Sequence, residues 1–473
     1  MKPIPLAALL MSLSMAGCIT APATTTLKPL DASELGLART VAAPRAASAW
    51  WRGYDDPQLD RLMQQAIAAN PTLAEALARV RAAQAVRDTT AAGLSPAVSF
   101  NAAESRQRFS DHDLAPPPVA GSVLWHGDAG LDLSWDLDFW GRQSSLVKQA
   151  GEQIQATRFD AAAARLAISG AVMRSYVELD RQFALADIAQ RSVEQRTEIL
   201  VITRKRVAAG LDTRIELREA EGAVPQAEVE LRQAQLDQSL AVHRLAALSG
   251  AGAQTYAAIG RPQLNHDAAL QLPATLPADL LGRRPDVLAA RARVEAATAG
   301  KAAAKAAFYP DVNLTAFAGT AALGFGALFH AASGTYGAGP AIHLPLFDGG
   351  RLRADYRGAS AGIDGTVAAY DRTVLDAVRE TADQLSRIQA LHEQLARQRL
   401  ALDAAEDAYA LARLRYQSGL ASYLTVLNAE SQVLAARRQH VDLAAAQSLA
   451  RVALLLAAGG SFDPQAVPAV ATR

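Results

Sequence analysis

Asp128, Asp132 and Asp136 stand four residues apart, so an extended chain places all three carboxylates on one face. Such a row suits a water-filled lumen. It does not make a metal site, because the eight histidines (112, 126, 243, 266, 330, 343, 392 and 440) are scattered without a pair at ligand spacing. "DHD" at 111–113 could hold a cation, but between two extended segments it reads more simply as a solvated loop tip. No nucleophile elbow, phosphate loop or HExxH motif is present, and "FDGGR" reads as a turn. After the first 17 residues only Met63 and Met173 remain, too few for a thioether relay. The sequence assigns no catalysis, cofactor or metal.

The one reactive thiol is Cys18, which excludes an intrachain disulfide. It follows Lys2 and the short apolar run "LAALLMSLSMAG", a secretory signal too short to span a bilayer. A signal over residues 1–17 with cysteine directly after it resembles a bacterial lipoprotein signal, which implies that Cys18 is lipidated; Ile19 is compatible with the outer membrane. Lipid on one cysteine anchors a chain without making it span. No later segment offers 18 uninterrupted apolar residues, so no transmembrane helix is expected and any crossing must use strands.

Lys plus Arg and Asp plus Glu both number 47, so no basic surplus points to nucleic acid. Half the residues are hydrophobic but only 5% are aromatic, and alanine supplies much of the apolar share, which suggests thin helices packed closely. The chain is written twice. Residues 70–100 align without a gap on 284–314, pairing Pro71 with Pro285 and Pro96 with Pro310. Residues 204–224 align on 413–433, pairing Gly210-Leu211 with Gly419-Leu420. Each half reads helix, strand, loop, strand, long helix, turn, helix. The organisation is a signal at 1–17, an anchored segment at 18–60, a first repeat at 61–250, a linker at 251–282, a second repeat at 283–460 and a tail at 461–473.

Strands are predicted at 97–107, 122–138, 311–321 and 335–346. Leu133, Trp135 and Leu137 form an oily face in the second; 209 residues on, Ile342, Leu344 and Leu346 form the same face in the fourth. Four strands cannot close a membrane barrel, which starts at about eight, and open edges in lipid leave backbone groups unpaired. Strands in a membrane would therefore require several copies of the chain to share one barrel. The segments 110–121 and 323–334 would be the connecting loops at the cell exterior.

No proline interrupts 141–209, and Ile154, Ala161, Ile168, Val172, Tyr176, Leu179, Phe183 and Ala186 step at coiled-coil spacing. A helix of that length spans about 100 Å. The second half repeats it over 350–418, and each long helix ends at a Gly-Leu, in "AAGLDT" and "QSGLAS".

Several segments now point one way. "WWRGYDDPQLDRLMQQAIAANPTL", "LPATLPADLLGRRPDV", "WDLDFWGR" and "HLPLFDGGRLRA" are similar, in order, to the outer-membrane factors: the TolC-like exit ducts, and within them the lipoprotein (NodT-type) efflux branch. The resemblance covers Cys18 to about Gly460. It implies a membrane α+β fold: four strands from each chain in a shared trimeric 12-stranded β-barrel, continued by a long α-helical coiled-coil periplasmic tunnel. It implies a homotrimer served by a periplasmic adaptor and an inner-membrane pump of RND or MFS type, in outer-membrane lipid. The adaptor-docking tip maps to Gly210, Leu211, Asp212, Gly419, Leu420 and Ala421, and the periplasmic gate to Leu424 and Asn428. Relatives often carry Asp at the second gate position, so an acidic ring there is not implied here. An acidic residue common soon after Pro-Asp in the family is absent from "DVLAARARV", so one local salt bridge is expected to be missing. The alternatives are the duct of a type I protein-secretion system, which has the same architecture, and a pore-less periplasmic adaptor, which the doubled helix pairs oppose.

Overall fold

The computed structural model describes residues 21–30, 49–112, 116–265 and 282–463; Cys18, the signal and half of the 251–282 linker (266–281) lie outside the described residues. Two proline-initiated helices open the folded part, α1 (Pro57–Ala69) and α2 (Pro71–Ala92). Proline suits the first helical turn, whose amide has no intrahelical acceptor. Asp56 and Asn70 supply the caps: their side-chain oxygens accept from Gln58 N and Leu59 N, and from Thr72 N.

Then follow β1 (Ala97–Arg108), β2 (Val123–Asp136), α3 (Arg142–Ala208) and α4 (Arg214–Leu248). The order repeats as α5 (Pro285–Ala306), β3 (Asp311–Leu323), β4 (Gly334–His343), α6 (Arg351–Gln417) and α7 (Tyr423–Ala457). Corresponding helices match in length: 22 residues for α2 and α5, 67 for α3 and α6, 35 for α4 and α7. β4 ends at His343, three residues before the predicted 346. Pro345 has no amide to give the ladder, so Leu344 and Leu346 fall beyond the strand instead of on its oily face.

All four strands are antiparallel neighbours in the order β1-β2-β3-β4, so β2 and β3 join the two repeats. Each passage from strand to long helix is made the same way. Gly141 (φ 69°) and Gly350 (φ 90°) adopt left-handed backbone. Asp138 accepts from the amides of Gln143 and Ser144, both at 2.8 Å, and Asp348 from those of Gly350 (2.9 Å) and Leu352 (2.8 Å). These amide donors, Leu352 foremost, hold the Asp348 carboxyl below the usual carboxylate range.

The helices form a wall in which α2 packs on α3, α3 on α5, and α5 on α6; α4 returns along α3 and α7 along α6 and α3. Along α3, the predicted seam from Ile154 to Leu179 is buried, with Phe183 partly so. The largest core joins the N-terminal segment (Trp50, Trp51, Tyr54, Leu59, Met63) to the middle of α3 (Val172, Met173, Tyr176) and to the ends of α4 and α7 (Leu245, Val452, Leu455). By length and composition α7 could cross a bilayer, but its apolar face is spent in this core.

Asp56 ties the core together. Besides capping α1, its Oδ2 accepts from the Tyr176 hydroxyl and the Gln263 amide, both at 2.7 Å. Asp56→Ala is expected to lower unfolding free energy by about 2–4 kcal/mol, the sum of a lost cap, the buried Tyr176 hydroxyl and the part-buried Gln263 amide left without this acceptor. Urea titration of the detergent-solubilised protein checks it. The salt bridge expected to be missing near the start of α5 has a substitute in a different form. Arg284, 8% exposed, pairs with Asp286 at 2.6 Å and reaches Glu380 on α6 at 2.9 Å.

Candidate functional site

The ladder sets oily residues opposite one another: Val98 faces Leu133, Phe100 faces Leu131, Trp135 faces Leu314 and Val312 faces Ile342. An ordinary sheet buries such a face against another layer. Among the described residues no α-helix packs on it, and only Leu328 of the β3–β4 loop covers Gly127 at one end: Phe100 is 67% exposed, Ile342 69%, and every residue of β1 is exposed. Trp125 and Trp135 stand ten residues apart on this face of β2. At about 3.3 Å per residue and a tilt of roughly 40°, that separates their rings by about 25 Å along a membrane normal, the height of a barrel's apolar band. More aromatics gather at each end. Phe325 and Phe329 meet edge to face (5.8 Å) in the β3–β4 loop, and Trp140 stacks on Tyr309 at 4.9 Å beside the helices.

The other face is polar. It carries Asp128, Asp132 and Asp136 as predicted, with Ser99, Asn101, Ser134, Asn313 and Thr315. Asn101 Nδ2 donates to Asp132 at 2.8 Å, and the Asn313 amide bonds the Ser134 hydroxyl at 3.0 Å. Leu124 and Leu323 share this face near the loop end, and one aromatic lies in its middle. Phe317 lies on this face directly across from Asp132 and is 50% exposed. The sequence contains the signal, an aromatic in phase with Asn313 and Thr315.

At the far end of the helices, the two Gly-Leu turns are built alike. Gly210 (φ 72°) and Gly419 (φ 78°) take left-handed backbone, and the next amide closes on the helix, Leu211 N to Arg206 O at 2.9 Å and Leu420 N to Arg415 O at 2.7 Å. Leu211 and Leu420 project into solvent, and Ala421 packs beside the core of Ile199, Tyr416, Tyr423 and Val426. Asp212, which the resemblance maps to the same tip, has a side chain only 8% exposed. It takes both Arg206 Nε (2.7 Å) and Nη2 (2.9 Å), and the Tyr416 hydroxyl donates to it at 2.7 Å. Arg206 also donates to the Tyr416 carbonyl at 2.8 Å and sits 4.5 Å over its ring. Arg206 therefore holds the Asp212 carboxyl below the usual range, and burial, aided by Asp212, pushes the Tyr416 hydroxyl up to about 12.

Leu424 and Asn428 stand one turn apart on α7, both exposed, while Tyr423, Val426 and Glu430 point inward. Glu430, 5% exposed, pairs with Arg196 of α3 at 3.0 Å; burial raises its pKa although the guanidinium opposes this. Sequence reasoning missed both the Arg206–Asp212–Tyr416 knot and the Arg196–Glu430 pair, in which Tyr416 and Glu430 lie more than 200 residues from the arginines they meet. The available signal was a mismatch between repeats: Asp212 aligns with Ala421, and Tyr416 with Val207.

Sequence and structure comparisons agree with this geometry. Residues 62–251 and 276–460 match the model of the outer membrane efflux protein family. The chain is 39% identical to the fusaric acid resistance protein FusA of Burkholderia cepacia over 76% of its own length and 69% of the relative's. It is 32% identical to the outer membrane protein OprJ of Pseudomonas aeruginosa over 96% and 95%. Its fold superposes on the outer membrane protein VceC of Vibrio cholerae with a TM-score of 0.82 and 34% identity, over 88% of this chain and all of that one. The fold class is thus the membrane α+β class of these channels, in which four strands per chain enter a shared trimeric 12-stranded barrel that a helical periplasmic tunnel continues. With strands built for lipid, helices for the periplasm and a family match across both repeats, the chain belongs to the outer membrane efflux protein family and is an outer-membrane efflux channel.

Proposed function

We propose that three copies of this chain form the exit duct of a tripartite efflux system, passively conducting small molecules delivered by an inner-membrane pump, of RND or MFS type, through a periplasmic adaptor. The observation that carries it is the unfinished state of one copy. β1 and β4 are free edges of a single-layered sheet, and lipid tolerates no open edge. The helical wall is unfinished in the same sense. α5 is flanked by α3 and α6, whereas its repeat mate α2, among the described residues, packs along α3 on one side, touches α1 at its start, and leaves Leu77 and Val86 exposed. Setting the α6 and β4 of one copy beside the α2 and β1 of the next supplies both missing neighbours at once.

In this reading Asp128, Asp132 and Asp136 line the barrel lumen. The exposed Leu211 and Leu420, on turns shaped by Gly210 and Gly419, meet the adaptor, with Ala421 beneath one turn and Asp212 bracing the other from inside. Leu424 and Asn428 narrow the tunnel at its periplasmic end, Leu424 by bulk and Asn428 without charge. Cys18 carries the lipid. The duct performs no catalysis; energy comes from the pump. The name of the FusA relative, a resistance protein for a small organic acid, favours small-molecule cargo over a secreted protein.

Deleting the gene is expected to sensitise cells to several compound classes, and restoring it to reverse this. Loss of a secreted protein with unchanged compound tolerance would favour the type I secretion duct. Cys18→Ser is expected to abolish acylation while leaving a heat-dissociable trimer on gels, because the barrel itself holds the membrane; a soluble monomer would overturn the strand assignment.

A further inference from the structure

We infer that Phe317 and Asp132 together form a binding ring for lipophilic organic cations inside the barrel, which rests on the exit-duct reading above. They occupy one rung of the ladder, Asp132–Phe317–Gly337, on the polar face. Cβ atoms directly opposite in such a ladder stand about 4.5–5.5 Å apart, so a carboxylate and a phenyl ring are presented side by side.

The surroundings leave the ring open. Gly130, Gly319, Gly337 and Gly339 share its face, so none of these neighbours raises a side chain beside it. The phenyl lies over Gly337, where an added Cβ would come within 2.7 Å of the ring, and half of its surface remains exposed. Covering a strand glycine accounts for one side of the ring and the oily face for none of it, since Phe317 points away from lipid. The other side is turned to the aqueous space.

An exposed phenyl face attracts a cation, more strongly when the cation is poorly hydrated. Asp132 adds a carboxylate that keeps acceptor capacity beyond its bond from Asn101. A small hydrated inorganic cation gains from the carboxylate alone; a cation with apolar bulk gains from both. The first repeat has Ala103 at the position corresponding to Phe317 (317 minus 214), so a barrel of three copies carries three such rings at one level.

The test uses the full-length channel in planar bilayers with potassium chloride and tetraphenylphosphonium added on the extracellular side. The wild type should show a reversible block of current. Phe317→Ala should weaken that block about five- to tenfold, the range of a partly desolvated cation–π contact. Phe317→Tyr should retain it. Asp132→Asn should weaken it and also reduce preference for potassium over chloride, whereas Phe317→Ala should leave that preference unchanged. Phe317→Leu keeps bulk over Gly337 but removes the π face, so it decides the question if the alanine variant assembles poorly. Equal block in wild type, Phe317→Leu and Phe317→Ala, or no block in any, overturns the inference. A wild-type channel with no conductance at all overturns the exit-duct reading itself, and the ring with it.

Discussion

Asp212→Ala is expected to release the tip of the helical hairpins, at a loss of about 3–5 kcal/mol, because it leaves Arg206 buried without its counter-charge. Arg206 and Asp212 have side chains only 10% and 8% exposed, and Tyr416 loses its acceptor in the same step. The expected observation is rapid proteolytic cleavage near residues 206–216 in a trimer that remains assembled, together with reduced compound tolerance. Removing Arg206 as well should recover much of the loss, since no orphan charge then remains. Leu211→Ala offers the contrast. That side chain projects into solvent, so stability should change by no more than about 0.5 kcal/mol. A fall in tolerance there reports on docking alone, and unchanged tolerance with normal expression would remove Leu211 from the adaptor surface.

The same knot fixes a pH window. Asp212 has a lowered pKa, so its contribution is complete above the ordinary carboxylate value of about 3.9 and is lost as pH falls through the lower folded value. Tyr416 is raised to about 12, so its contribution is complete below the ordinary value of about 10 and is lost as pH rises through the folded one. Protease resistance of the tip should therefore be flat from pH 5 to about pH 9.

Gly319→Val is expected to abolish assembly. A Cβ at Gly319 would lie 2.4 Å from the Ala129 carbonyl oxygen and 2.5 Å from the Gly130 Cα, both backbone atoms that no rotamer change can move aside. β2 and β3 must then separate, and that ladder is where the strands of the two repeats join. No heat-dissociable trimer should reach the outer-membrane fraction. Gly326→Ala is the control. An added methyl there meets nothing within 4 Å, so the trimer should form normally; equal loss in both would assign the defect to handling of glycine variants rather than to the β2–β3 contact.

Much of this architecture was legible because it is encoded by period and punctuation. Paired prolines start α2 and α5, left-handed glycines bound α3 and α6, and alternation places Asp128, Asp132 and Asp136 on one face. The end of β4 was misplaced because alternation continues through Leu344 and Leu346 while Pro345 ends the ladder. Asp212 was placed at the tip by the family resemblance alone, which carries no information on the direction of its side chain. Its inward course depends on Arg206, one helical turn and more before it, and on Tyr416 in the other repeat. Contacts of that kind carry no local signature. Phe317 was visible but unweighted, since a single aromatic out of phase resembles noise until its cross-strand partner is known.

The equal lengths of α3 and α6, 67 residues each, have a geometric outcome at the far end. Equal lengths suit turns at one depth, so the proposed trimer would finish in a crown of six points. A partner that senses only the shape of the turn finds six equivalent footholds. One that distinguishes the braced turn, with Asp212, from the unbraced one, with Ala421, finds three of each in alternation.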